Sequence, residues 1–198
     1  MRHFAIVGHR ATSSGRFNLN DLAGSCGRMD VLARAISSAL FLSHGIRNDT
    51  TITLHLMGGP GVPRRIRFYG STIKGLHVDE RAIAGRIRTV IANPVPPRGQ
   101  WIKHGSGIEH SGGDLETTLT EWANSEIYTY VLSKNGSQFM KNSTEQELGF
   151  ILSDDQRFTP EEEKILASLP TLSLGHHWLQ GHIAIAIVHH ILDQEGTE

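Results

Sequence analysis

The sequence predicts an α/β fold with a largely parallel sheet, and two observations indicate this. From residue 114 onward, apolar strand patterns alternate with loops and helical patterns to the end of the chain, as in proteins with parallel sheets. Two of the strand patterns, within 128–136 and 148–163, end in a small polar loop, and a third turns at Gly175. Because parallel strands bring their carboxyl ends to one edge of a sheet, we expect these three segments to meet there and form a ligand site.

The remaining elements follow from the spacing of apolar residues and from turn-forming residues. In chain order they are a buried strand over 4–7, a long loop over 11–27, an amphipathic helix over 29–44, hairpin strands over 51–57 and 65–69, a helix from Asp79 to about Ala92, an ordered loop or linker over 93–113 and a helix over 114–123. Asp79 is the expected N-cap of its helix. We expect a single domain over 1–198, with a basic hairpin and helix inserted around 51–92.

The helix after Phe158 has the clearest start signal in the chain. Thr159 is a typical N-cap, Pro160 suits the first helical position, and Glu162 completes a capping box. The loop before it is therefore short and held at both ends. This is expected of a loop that binds a cofactor, but an ordinary connection from a strand to a helix has the same residues.

The net charge of -1 hides two regions of opposite charge. Between Arg64 and Lys103 there are nine Lys or Arg and two acids, whereas between Asp114 and Glu198 there are four Lys or Arg and fourteen acids. The basic middle suggests a polyanion partner, because phosphates are bound mainly by Lys and Arg. A solvated basic hairpin and helix is the alternative. The candidate contacts to phosphate or to an unpaired base are Arg81, Arg86, Arg88, Trp101, Lys103 and His104.

Several chemistries have no support in the sequence. Cys26 is the only cysteine, which excludes an internal disulfide and a thiolate cluster for zinc. Histidines crowd 176–190, but no cysteine or carboxylate stands beside them at a zinc-like spacing, so no metal is expected. The phosphate-loop, dinucleotide-binding and nucleophile-elbow motifs are absent. No apolar run is long enough for a membrane helix or a signal peptide, and a cytoplasmic location is expected.

Five segments spread over the chain carry a family resemblance. They read FAIVGHRA, DLAGSCGRMDVLARAISSALFLSHGIRND, HVDERAIAGRI, FILSDDQRFTPEEE and LSLGHHWLQGHIAIAIVHHILD. In order and spacing they resemble the TrmY family of the SPOUT superfamily, which methylates N1 of pseudouridine in the T loop of archaeal tRNA. That family also has bacterial relatives of less certain substrate, and the chain is expected to be one of them. The resemblance implies a Rossmann-like, mostly parallel sheet with a C-terminal trefoil knot, a homodimer, RNA (tRNA first) as partner and S-adenosylmethionine as cofactor.

Carried over by position, the resemblance also implies the cofactor contacts. They are Leu132, Ser153, Leu174, Gly175, His176, His177, Trp178, Leu179 and Ala184. Transfer of a methyl group to a ring nitrogen requires positioning and the loss of a proton, so Asp154 is a candidate base. Arg28, at the start of a helix, is a candidate for holding a phosphate or the target base, because its guanidinium is a rigid fork. A salt bridge to Asp30 or to another neighbouring residue is the alternative for Arg28.

The chain departs from the family pattern at the expected cofactor site. Ser153 stands where the family often has glycine, and Ala184 where it often has cysteine. The segment 176–178 reads His-His-Trp where proline and small polar residues are usual. These departures leave open a non-catalytic RNA-binding protein of the same fold. Methylation of a different RNA atom, such as a ribose hydroxyl, is also open.

Overall fold

The computed structural model of the chain describes residues 1–15, 17–138 and 147–194. The strands within these residues are β1 (Arg2–Gly8), β2 (Phe41–Leu42), β3 (Gly45–Ile46), β4 (Thr50–Leu56), β5 (Arg64–Tyr69), β6 (Ile102–Lys103), β7 (Ile108–Gly112), β8 (Tyr128–Gln138), β9 (Leu148–Ser153) and β10 (Thr171–Ser173). The helices are α1 (Met29–Leu40), α2 (Glu80–Ile91), α3 (Leu115–Asn124), α4 (Pro160–Leu166) and α5 (Gly181–Gln194). In this part of the chain, no helix combines the length and apolar character that crossing a membrane requires.

Eight strands form one mixed sheet, in the order β10-β8-β9-β1-β4-β5-β7-β6. The first five of these are parallel to their neighbours. From β4 outward the pairing becomes antiparallel, through β5 and β7 to β6. The predicted α/β class with mostly parallel pairing is confirmed. The parallel half carries the carboxyl ends of β8, β9 and β10 on one edge, as expected.

Strand β1 lies at the centre of the parallel half and its side chains alternate between two cores. Phe4 and Ile6 face a core that is completed by α1, α2 and α5. Ala5 and Val7 face a smaller core formed with α3 and α4. This is the period of two that a strand imposes on its side chains. A strand with helices on both faces is buried throughout, which explains why 4–7 is a continuous apolar run.

Two predicted boundaries were wrong. The amphipathic helix ends at Leu40 and not at residue 44, because 41–46 folds into the small β2–β3 hairpin. The segment 93–113, expected to be a loop or linker, contains β6 and β7. The polar sequence of β7 hides its strand character, although His110 and Ser111 pair with β5 and are buried.

The basic segment 51–92 is built into the sheet. Its strands β4 and β5 pair with each other, and β4 pairs with β1. Asp79 is the N-cap of α2, as predicted, and its carboxylate accepts the backbone N–H of Ala82 at 2.8 Å. The side chains of Arg64 and Arg65 are fully buried, so part of the local positive charge is internal.

Candidate functional site

A pocket of about 510 Å³ lies beyond the parallel ends of β8, β9 and β10. Residues from three chain segments form its wall: 131–135 from β8, 152–153 and 157–158 from the end of β9 and the loop after it, and residues within 171–181 from β10 to the start of α5. Helix α4 closes one side through Leu166 and Ala167, and α5 contributes Ala184. This volume is in the range of sites that bury small ligands and cofactors. The fold therefore brings together the three segments whose sequence patterns predicted that they would meet.

The first wall segment exists because β8 and β10 pair out of step. Thr171 pairs with Val131, but the next residue, Leu172, pairs with Ser137. The residues 132–136 are therefore looped out of the ladder and turn toward the pocket. Gly136 permits this close approach, since a Cβ at that position would lie 2.6 Å from the carbonyl carbon of Leu172.

The second wall segment is a short loop that is fixed at both ends. The hydroxyl of Ser153 donates a hydrogen bond to the carbonyl of Gln156. At the other end the predicted capping box of α4 is confirmed, with Thr159 and Glu162 each accepting the other's backbone N–H. The Ser153 hydroxyl thus holds the loop's own backbone.

His9 joins this loop to the end of β1. One ring nitrogen, Nδ1, lies 2.8 Å from a carboxylate oxygen of Asp154, and the other, Nε2, lies 2.9 Å from one of Glu162. The backbone N–H of His9 also donates to Asp154, at 2.9 Å. Hydrogen bonds, the larger effect from Asp154 and the next from Glu162, raise the pKa of His9 to about 9, although burial alone would lower it. Burial would raise the pKa of Glu162, but the hydrogen bond from His9 brings it below its ordinary value. His9 is therefore a protonated link between two acids at neutral pH.

The third wall segment is open to solvent at its tip. Gly175 has a φ of 125°, which favours glycine, and an added Cβ there would meet no atom within 4 Å. His176, His177 and Trp178 are exposed. Leu174 and Leu179, on either side, are partly buried and pack against the main core. The segment is anchored by its leucines and presents its polar and aromatic residues outward.

The structure places most of the predicted cofactor residues in this pocket. Its lining includes Leu132, Ser153, Leu174, Gly175, His177, Trp178, Leu179 and Ala184. His176 is exposed and does not line the pocket. The two predicted catalytic residues, Arg28 and Asp154, do not line it either.

Arg28 lies in the network of ion pairs that the alternative interpretation expected. Its guanidinium contacts Asp30 at 3.0 Å and Asp155 at 2.8 Å, and 31% of the side chain is exposed. Its φ of 64° is left-handed, which is uncommon for any residue except glycine. Asp155 is also held by Arg10. Arg28 thus connects the start of α1 to the loop that forms the second wall of the pocket.

Asp154 serves the local structure. Its side chain is 1% exposed, and besides His9 it accepts the backbone N–H of Gln156 at 2.9 Å. His9 itself was not among the residues predicted from the sequence, although its position directly after β1 was an available signal. Lys134, Arg157 and Phe158 also line the pocket, and the sequence pointed to their loops without singling out these side chains.

In the basic middle of the chain, some candidate RNA contacts are covered by other side chains and others are exposed. Trp101 is covered by Arg65 and Arg67, whose guanidinium carbons lie 4.6 Å and 3.8 Å from the ring centroid. The candidate phosphate contacts of α2, Arg81, Arg86 and Arg88, are exposed.

Within the residues that the structure describes, no group of three or more His, Cys, Asp or Glu is placed to hold a metal ion.

Comparison with known proteins assigns the chain to a family. Residues 1–197 match the family described as "Putative SAM-dependent RNA methyltransferase". The chain belongs to this family. Two relatives are both named tRNA (pseudouridine(54)-N(1))-methyltransferase. The one from Methanospirillum hungatei is 37% identical over 98% of this chain and 97% of its own length, and the one from Methanosarcina mazei is 38% identical over 100% and 93%.

The fold of this family member also occurs among solved structures. A crystal structure of Archaeoglobus fulgidus Nep1 bound to S-adenosylhomocysteine superimposes with a TM-score of 0.64, covering 96% of this chain and 98% of that chain at 12% identity. At this identity the likeness is one of fold alone. A third relative, from Methanocorpusculum labreanum, is 37% identical over the full length of both chains. These relatives are archaeal, so the expectation of a bacterial relative is not supported.

Proposed function

We propose that this protein is an S-adenosylmethionine-dependent methyltransferase that methylates N1 of pseudouridine in tRNA. The observation that carries the proposal is the pocket formed by three loops at the carboxyl edge of the parallel strands. Family membership and the names of full-length relatives support the reaction and the substrate. A cytoplasmic location, where tRNA is available, accompanies this proposal.

The residues present fit the cofactor. Leu132, Leu174 and Leu179 supply an apolar wall for an adenine ring, and the looped backbone of 132–136 supplies polar groups beside it. At Gly175 the missing Cβ leaves the backbone accessible. When bound, S-adenosylmethionine supplies an electrophilic methyl group on a sulfonium.

The contribution of this chain to the reaction is positioning. A rigid loop fixed by Ser153, Thr159 and Glu162 keeps the pocket in shape, and a preorganised site removes much of the entropic barrier to transfer between two bound molecules. The acceptor, a ring nitrogen, must also lose its proton. No side chain needs to form a covalent intermediate for this chemistry.

Within this proposal Arg28 holds a phosphate or the target base. To do so, Arg28 would leave Asp155, which Arg10 also contacts, and contact the RNA instead. Asp154 remains the candidate base. Its carboxylate reaches a substrate only if this side chain leaves its hydrogen bonds to His9 and to the backbone of Gln156.

The trefoil knot and the homodimer are parts of the same proposal. For the knot, support comes from the strand order, with β10 at the edge of the sheet, and from α5, which follows it and packs against α1 nearer the centre. For the dimer, support comes from exposed apolar side chains such as Ile183 on α5. Light scattering coupled to size-exclusion chromatography measures the oligomeric state, and a monomeric mass at micromolar concentration would count against the dimer.

The direct test combines binding with product analysis. Calorimetry should show S-adenosylmethionine binding, and incubation of the protein with labelled cofactor and tRNA should yield N1-methylpseudouridine on nucleoside mass spectrometry. No cofactor binding at millimolar concentration would contradict the proposal.

The exposed 176–178 segment favours one alternative, a non-catalytic RNA-binding protein. That protein would bind RNA with a steep salt dependence and transfer no methyl group. Methylation at another atom, such as a ribose hydroxyl, would appear in the same mass spectra as a different nucleoside.

A further inference from the structure

Trp178 is a large aromatic side chain at the mouth of the pocket. It lines the pocket, yet 56% of it is exposed. The other two tryptophans are used internally: Trp122 is 3% exposed, and Trp101 is covered by two arginines and donates its indole N–H to Glu121. Because Trp178 both lines the pocket and is exposed, its ring is available to stack on a ligand at the mouth.

Arg157 extends this aromatic surface. Its guanidinium carbon lies 5.5 Å from the centroid of the Trp178 ring, although the two residues belong to different wall segments. This contact backs part of the ring, while more than half of the residue remains open to solvent. An arginine beside an aromatic ring is an arrangement on which unpaired bases stack.

The charge around the mouth also suits a nucleic acid. Between Asp114 and Glu198 the chain has fourteen acids and four Lys or Arg, and two of these four, Lys134 and Arg157, line the pocket. Neither makes an ion pair with an acid in the described residues. Glu163 also lines the pocket. Two cations without acidic partners, in an acidic half of the chain, form a local site for phosphate.

Building on the proposed function, we propose that Trp178, backed by Arg157, is the stacking platform that holds the target base of the RNA at the mouth of the pocket. Lys134 then takes an adjacent phosphate. The leucines and Ala184 lie deeper and pack against the core, so they are the wall for the cofactor. Trp178 lies outside them, where an RNA base arrives. An enzyme that modifies a base must take it out of its stack, and a replacement stacking surface offsets part of that cost.

A binding cycle tests the platform without requiring methyl transfer. Two fluorescently labelled tRNA stem-loops are needed, one with pseudouridine at position 54 and one abasic at that position. Binding of each is measured by anisotropy for the wild type, Trp178→Ala and Trp178→Phe. We expect Trp178→Ala to weaken binding of the pseudouridine RNA by roughly tenfold or more and to leave the abasic RNA unaffected. Trp178→Phe, which keeps a ring, should retain most of the affinity.

Tyr128 provides a matched control. It is also an exposed aromatic residue, at 44%, but it begins β8 and so lies at the opposite edge of the parallel strands. Tyr128→Ala should leave both affinities unchanged. Cofactor binding, measured by calorimetry, should fall less in Trp178→Ala than affinity for the pseudouridine RNA does, since the platform contacts the base.

Three results would overturn the platform: equal loss of affinity for the two RNAs, no loss for either, or loss of cofactor binding with RNA affinity retained. The third would place Trp178 over the cofactor. The failure of the proposed function appears separately. A wild-type protein that shows the expected dependence on the base but yields no methylated nucleoside would keep the platform and reject the methyltransferase. A wild-type protein that transfers the methyl group without this dependence on the base would keep the methyltransferase and reject the platform.

Discussion

His9 is a single residue that joins three segments far apart in the chain. It follows β1, it holds Asp154 at the end of β9, and it holds Glu162 in the first turn of α4. Each acid lies beside one nitrogen of the His9 imidazole ring, so the protonated form of His9 is favoured. The loop that forms the second wall of the pocket is thereby tied to the centre of the sheet.

The first prediction is that His9 makes stability depend on pH in the alkaline range. The pKa of His9 is raised from 6.5 to about 9 in the folded state. Its contribution is therefore fully present below 6.5 and is lost as the pH rises through about 9. His9→Gln should be destabilised relative to the wild type by roughly 2–3 kcal/mol at about pH 6, and this difference should shrink toward about pH 10. Urea unfolding at both pH values measures it.

His3 provides the control for this experiment. It also contacts an acid, Glu147, at 2.6 Å, but burial lowers its pKa below 6.5. Both the folded and unfolded states hold neutral His3 above that value, so the difference between wild type and His3→Gln should be flat in the alkaline range. A difference for His9→Gln that is equally flat would show that His9 is neutral in the folded protein.

Arg28 gives the second prediction at the residue scale. If Arg28 holds the RNA as proposed, Arg28→Ala should lose methyl transfer by roughly 100-fold in kcat/KM. Cofactor affinity should stay within about threefold, since Arg28 does not line the pocket. Calorimetry and product analysis measure the two effects. Arg10→Ala is the matched control, because it removes the other partner of Asp155 and should keep transfer. Equal loss of cofactor binding and transfer in Arg28→Ala would mean that the residue is structural.

At the scale of elements, the contact between β8 and β10 shapes the pocket. The ladder skips 132–136, and this loop forms the first wall. The backbone of Leu172 passes so close to Gly136 that any side chain there would collide with it. Both strands carry pocket residues at or beyond this point. The integrity of the cofactor wall therefore depends on one glycine.

The third prediction concerns this glycine. Gly136→Val should push β10 away from β8 and abolish measurable cofactor binding in calorimetry, because the added Cβ would lie 2.6 Å from the backbone of Leu172 and one of the two strands must shift. Gly85→Ala is the control. Gly85 lies within α2, where an added Cβ meets nothing within 4 Å, so this change should stabilise the protein by about 0.5–1 kcal/mol. Unchanged cofactor affinity in Gly136→Val would show that the two strands can separate without opening the pocket.

At the scale of the whole molecule, burial removes part of the positive charge of the basic middle from the surface. Arg64 and Arg65 are internal, and Arg65 pairs with Glu121. Part of the exposed charge of the basic middle is on α2. Its Arg81 and Arg88 are exposed and seven residues apart, which places them on one face of the helix, two turns from each other.

The fourth prediction is that this face contributes to RNA binding. The double change of Arg81 and Arg88 to Gln should weaken tRNA affinity and reduce the slope of log K against log salt by roughly 0.7–0.9 for each phosphate that is no longer neutralised. Cofactor binding should not change. Arg98→Gln is the control, because Arg98 is exposed but already paired with Asp114 at 2.6 Å. A slope that is the same in the double variant and the wild type would remove α2 from the RNA interface.

Much of the fold could be predicted from local signals. The buried run of β1, the caps at Asp79 and Thr159, and the strands before the three loops all have strong local patterns, because burial and capping act over a few residues. Strand β7 could not be found this way. Its His110 and Ser111 are buried against β5, and only the pairing of segments far apart in the chain makes this polar stretch a strand.

The candidate site divides in the same way. Sequence patterns alone were enough to predict which loops meet, since parallel strands must deliver their carboxyl ends to one edge, and the apolar and polar residues of 128–136, 148–163 and 172–175 mark where those ends fall. The roles of the individual side chains became visible only in the folded chain. Asp154 lies against His9, Arg28 against Asp155, and Trp178 stands open beside Arg157. The physical reason is that strand ends follow from short-range patterns, whereas the partner of a charged or aromatic side chain depends on segments that only packing brings within a few ångströms.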